Sequence, residues 1–113
     1  MSDALDLLPG TLELLVLKAL SLEPMHGWGI GQRIEQLSRS AFQVPQGSLY
    51  PALQRMRRKG WIRSDWRTTA NRRRARYYAL TAKGHRQLET ETAGWQRTAA
   101  AVNGVLRVRL AEP

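Results

Sequence analysis

Apolar residues recur at helical spacing over four stretches of the chain, and the region between the third and fourth alternates instead. From Thr11 to Ser21, between Pro9-Gly10 and Pro24, the residues Leu12, Leu15, Val16, Ala19 and Leu20 predict a first helix. Leu14 and Leu17 make its other side apolar too, which predicts a second buried face met by a partner subunit. Pro24 to Gly27 reads as a turn, and a second helix follows to about Leu37 with Ile30, Ile34 and Leu37 inward. A third helix runs from Gln46 or Ser48 to Lys59 and stops at Gly60, with Pro51 in its first turn, where a missing N–H is tolerated. Leu49, Ala52, Leu53 and Met56 share its inner face, while Gln46, Tyr50, Gln54, Arg55, Arg57 and Arg58 occupy the rest. In Trp61 to Arg67, Ile62, Ser64 and Trp66 fall on one side and Arg63, Asp65 and Arg67 on the other. With the strand formers of Ala75 to Leu80, this predicts a β-hairpin with a polar, cationic tip. The last stretch opens at Thr81, a good N-cap. Its Leu88, Thr92, Trp95, Ala99, Val102 and Leu106 recur at spacings of four and three, a heptad seam weakened by Gly94 and Gly104.

Helix, helix, helix, hairpin, long helix: this order predicts a mainly α fold with a small β-hairpin. It is the plan of a winged helix-turn-helix over residues 1–80 followed by a C-terminal dimerisation helix over 81–113, the two making one compact unit. The expected dimer seam comprises Leu12, Leu15, Leu88, Trp95, Ala99, Val102 and Leu106.

Charge sharpens the picture. The formal net charge is +9. Ten basic residues (Arg55, Arg57, Arg58, Lys59, Arg63, Arg67, Arg72, Arg73, Arg74 and Arg76) lie between Gln46 and Leu80 with Asp65 as the only acid, so this third of the chain carries the whole net charge. A solvated face normally mixes both signs; a localised cationic field attracts polyanions, and duplex DNA is the expected partner. Gln and Arg on an exposed helix face can read base edges in a major groove, and Arg72, Arg73, Arg74 and Arg76 can meet flanking phosphates. Two other partners would use the same field: structured or single-stranded RNA, and an acidic protein docked by an adaptor.

At 113 residues and 42% hydrophobic content the chain suits one packed domain. It has no cysteine, which removes disulfide and thiolate-metal chemistry and suits a cytoplasmic setting. An acidic opening and a longest apolar run of Leu14 to Leu17 predict neither a signal peptide nor a membrane anchor. Gly27, Gly29 and Gly31 imitate a dinucleotide fingerprint, but no strand precedes them and no βαβ unit follows, so no cofactor is expected. His26 and His85 are far apart, Ser48 has no evident base, and the acids are scattered; no catalytic group and no metal site are predicted.

Several separated blocks also carry a resemblance: Leu8-Pro-Gly-Thr-Leu12, Met25-His-Gly-Trp-Gly-Ile30, Gln46-Gly-Ser-Leu-Tyr-Pro-Ala-Leu53, Gly60-Trp-Ile62, and Arg76-Tyr-Tyr-Ala-Leu-Thr81 with Gly84. Over nearly its whole length the chain resembles the PadR family of bacterial transcriptional regulators, and its short C-terminal part resembles the subfamily with one dimerisation helix. The resemblance implies a homodimeric winged-helix repressor, in some members released by a small aromatic or phenolic effector. It implies a recognition helix holding Gln46, Ser48, Tyr50, Pro51, Gln54 and Arg58, and a wing from Thr69 to Arg76. Where the family often has Tyr, this chain has Trp28. Trp95 is the candidate for stacking on a planar effector; the alternative is that it is simply a large interface anchor.

Overall fold

The computed structural model describes residues 10–110, so Leu8 and Pro9 of the first resemblance block, and the outer ends of both expected domains, lie outside the described residues. The chain runs α1 (Thr11–Leu22), β1 (Met25–His26), α2 (Gly27–Leu37), α3 (Gln46–Arg58), β2 (Ile62–Thr68), β3 (Arg74–Leu80) and α4 (Ala82–Leu106).

Helix α1 ends at Leu22 because Glu23, which precedes Pro24, is forced into extended backbone at φ −170°. It lies against α2, α3, β3 and α4, which wrap it on most sides. That position accounts for its apolar circumference and corrects the expectation of a wide partner-facing side. Leu17 is fully buried, and Leu12, expected at the dimer seam, is 9% exposed within the protomer's own core. Among its leucines Leu14 and Leu15 remain partly open, and Leu22 at the helix end is exposed. Leu17, Ile30, Leu49, Leu53, Met56 and Ile62 form the centre of the core, joining three helices to the hairpin.

The predicted turn at Pro24 to Gly27 contains a strand. Met25 pairs with Tyr78 and His26 with Tyr77, giving a three-stranded antiparallel sheet of order β1-β3-β2. Two residues offer no alternation to detect. His26 then caps α2, its Nδ1 accepting from the Gly29 amide at 3.0 Å. Leu37, expected inward, is largely exposed, because α2 ends there and the chain turns away through Arg39 and Ser40, both left-handed (φ 53° and 65°).

Helix α3 begins at Gln46, which places Pro51 in the second turn and not the first. Its missing amide deprives the Gly47 carbonyl of a helical donor, and both residues are exposed, so water can supply that bond. The helix closes with a Schellman arrangement: Trp61 N donates to Met56 O and Gly60 N to Arg57 O, both at 3.0 Å, with Gly60 at φ 77°.

Thr81 joins the hairpin to α4 through three bonds. Its amide donates to Trp61 O at 3.0 Å, its hydroxyl donates to Gly60 O at 2.6 Å, and the same oxygen accepts from Gly84 N at 3.1 Å. Gly84 allows this junction to close, since a Cβ there would overlap the Trp61 carbonyl oxygen. Beyond Leu88, which packs on the core, α4 becomes progressively exposed.

Candidate nucleic-acid interface

Burial of Leu49, Ala52, Leu53 and Met56 fixes the rotation of α3. The opposite face then presents Gln46, Ser48, Pro51, Gln54 and Arg58, all exposed. Tyr50 lies on the flank against α2. A Cβ at Gly27 would come within 2.8 Å of Tyr50 Cε1, so the glycine sets how closely the ring can lie.

Arg55 departs from its expected place in the recognition surface. Its Nε meets Glu13 Oε1 of α1 at 3.1 Å, and Lys59 Nζ meets Glu13 Oε2 at 3.7 Å. The guanidinium is thereby turned toward the protomer's own first helix. No periodicity links positions 13 and 55, so this pair is invisible in the sequence.

The hairpin register is Ile62↔Leu80, Ser64↔Tyr78, Trp66↔Arg76 and Thr68↔Arg74 on one sheet face. Buried Ile62, Tyr78 and Leu80 turn that face toward the core and α3. Burial raises the pKa of Tyr78; Arg76, Tyr50 and Arg57 lie close enough to act on it electrostatically, Tyr50 raising it and the two arginines lowering it. Two tyrosines and two arginines therefore converge where α3 meets the hairpin.

Aromatic rings support three of the hairpin's arginines. Arg74 and Arg76 lie over the Trp66 ring at 5.2 and 5.6 Å, and on the opposite face Arg67 lies over Tyr77 at 5.1 Å. Tyr77 meets His26 edge-on at 5.7 Å, and His26 stacks on exposed Trp28 at 6.0 Å. At the tip, Thr69 N donates to Arg73 O at 2.7 Å and Arg72 N to Thr69 O at 2.9 Å, with Arg72 left-handed at φ 58°. The arginines are visible in the sequence as a charge cluster, whereas the rings beneath them are not. The available signal was the alternation that set Trp66 apart from Arg67, but the cross-strand partner depends on turn length, which the polar tip conceals.

The expected seam residues of α4 are distributed unevenly. Leu88 and Ala99 are half-buried, whereas Trp95, Val102 and Leu106 are 49%, 50% and 74% exposed. A cavity of about 440 Å³ opens between α1 and α4, lined by Leu14, Leu15, Lys18, Phe42, Leu88, Thr92 and Trp95 among others. No helix among the described residues is long and apolar enough to cross a membrane, and no three His, Cys, Asp or Glu among them gather as metal ligands would.

Residues 16–90 match the profile of the transcriptional regulator PadR-like family. The fold is similar to the crystal structure of a Streptococcus transcriptional regulator, with TM-score 0.79 and 25% identity, over 91% of this chain and 99% of that one. It is similar to a PadR-like transcriptional regulator from Bacillus cereus, with TM-score 0.76 and 28% identity, over 88% and 95% of the two chains. A PadR family transcription regulator from Clostridium difficile superposes with TM-score 0.74 and 28% identity, over 86% of this chain and 99% of that one.

Proposed function

The chain belongs to the PadR-like family of transcriptional regulators, and from that premise we propose that it is a cytoplasmic repressor that binds a pseudo-palindromic operator in duplex DNA as a homodimer. The observation carrying this reading is the outward face of α3, where Gln46, Ser48, Pro51, Gln54 and Arg58 stand exposed beside an arginine-bearing hairpin. Gln and Arg suit bidentate contacts to adenine and guanine edges in a major groove, and the hairpin cations suit the adjoining phosphates. Two protomers related by a two-fold axis would present two such helices to half-sites roughly 34 Å apart.

Release by a small planar aromatic effector is the second part of the proposal. It is supported by half-exposed Trp95 and by the cavity beside it, which is large enough for a one- or two-ring compound. An effector seated there would act on α4, the helix that we propose joins the protomers, and so on the spacing of the recognition helices.

Selection of bound duplexes from a random pool, followed by competition with structured RNA and an acidic protein at near-physiological salt, tests the reading. An inverted repeat should emerge and resist both competitors. Preferential capture of RNA or of the acidic protein would replace this reading with one of those two.

A further inference from the structure

We propose that Trp66 is a positioning residue: its exposed indole holds Arg74 and Arg76 ready for the DNA backbone, so that the stem of the hairpin, and not its tip, makes the wing's main contact. The inference rests on the duplex-DNA reading given above.

Trp66 is 57% exposed, unusual for a tryptophan in a strand that has a buried face available. Its ring is covered by charge in place of hydrocarbon. Arg76 is its direct cross-strand partner and Arg74 pairs one position further along the same face, with guanidinium carbons 5.6 and 5.2 Å from the ring centre. Stacking occupies only the flat face of a guanidinium and leaves the N–H groups in its plane available for phosphate oxygens. Arg76 Nε is itself covered and has no hydrogen-bond partner, so phosphate contact falls to the outer N–H groups of the fork. The face carrying all three residues is the one that turns toward α3, where a duplex seated on that helix would pass.

Arg72 and Arg73 make the contrast. They occupy the turn beyond the strands, and neither lies over an aromatic ring among the described residues. A tip arginine must surrender its rotamer freedom when DNA arrives, whereas a stem arginine has largely surrendered it on folding. Equal charge therefore does not mean equal affinity.

The experiment compares four variants with the wild-type chain on the duplex selected by that chain, with thermal melts to verify folding. Trp66→Leu keeps every charge and an apolar side chain but no π face; it should weaken binding about tenfold, as for two lost stacking contacts, with little change in salt slope. Trp66→Phe should recover most of that loss. Arg74→Ala with Arg76→Ala should weaken binding clearly more than Arg72→Ala with Arg73→Ala, although each pair removes two charges. Wild-type affinity in Trp66→Leu, or equal losses in the two arginine pairs, overturns this inference alone. A wild-type chain that ignores every duplex overturns the DNA reading and this inference together.

Discussion

Glu13 shows how one covered carboxylate can reassign two cations. Its side chain is only 13% exposed, yet it is met by Arg55 and Lys59, each about half exposed. Truncating Arg55 would leave Glu13 with one more distant partner, so Arg55→Ala should destabilise the fold by up to about 1 kcal/mol, given the exposure of the pair, while changing duplex affinity little. Arg58, on the outward face of the same helix, should behave in the opposite way. Arg58→Ala should melt like the wild type and, where Arg58 meets a base, remove about 1–3 kcal/mol of sequence discrimination. Paired melts and duplex titrations check both, and a destabilised Arg58 variant beside a binding-defective Arg55 variant would exchange their roles. Nearby on α4, burial raises the pKa of Glu91; neighbouring Glu13 raises it further, Lys59 and a hydrogen bond from Gln87 oppose the shift, and Oε2 has no partner. A carboxyl whose folded pKa is raised binds its proton more tightly when folded. Its stabilising contribution is therefore complete below the ordinary glutamate pKa and is lost as pH rises through the folded value. Glu91→Gln should raise the melting temperature at pH 7, by the equivalent of less than about 1 kcal/mol given its partial exposure, and flatten the stability profile above pH 4. A lower melting temperature at pH 7 would mean that attraction to Lys59 dominates.

At the scale of elements, the strongly periodic parts of the fold were legible and the parts set by contact were not. The inner face of α3 was readable because Leu49, Ala52, Leu53 and Met56 repeat at helical spacing and Gly60 marks the end. The hairpin was readable from its alternation. Strand β1 was not, since two residues have no period, and its existence depends on β3 arriving some fifty residues later with a free edge. The side of α1 that looked destined for a partner was misjudged for a related reason: periodicity reports that a face is apolar, not which chain covers it. Here α4 folds back along α1, and the Thr81–Gly84 junction makes that return possible. Gly84→Ala tests the junction. With the Trp61 carbonyl in the way and Leu80 Cδ2 at 3.0 Å from the added carbon, α4 must shift off the hairpin, destabilising the protein by about 1–3 kcal/mol or more. Gly94→Ala, whose added carbon meets nothing within 4 Å, should be neutral or stabilising by up to about 1 kcal/mol through helix propensity. Equal melting temperatures for the two variants would remove Gly84 from its role in the junction.

The whole molecule leaves one large account of apolar surface open, and it lies along α4. This helix has 25 residues and is about 37 Å long, while the protomer core reaches only as far as Leu88. Past that point Trp95, Val102, Val105 and Leu106 stand exposed, whereas most apolar side chains among the other described residues are covered. Residues of this size so close together would be a liability on an isolated protomer. Paired with the same stripe of a second copy they become a seam, and Leu14 and Leu15 on the open flank of α1 lie beside it across the shared cavity. The expected outcome is a dimer at micromolar concentration by sedimentation equilibrium. Trp95→Ala should raise its dissociation constant by at least about 30-fold, since truncating a large aromatic anchor costs roughly 2–4 kcal/mol. Leu12→Ala should leave that constant unchanged and lower the melting temperature, because Leu12 is spent inside the protomer. The weakened dimer should also lose affinity for an inverted repeat far more than for a single half-site, because the second recognition helix is then no longer held at high effective concentration. A wild-type chain that sediments as a monomer, or a Trp95→Ala dimer as tight as the wild type, would place the seam elsewhere.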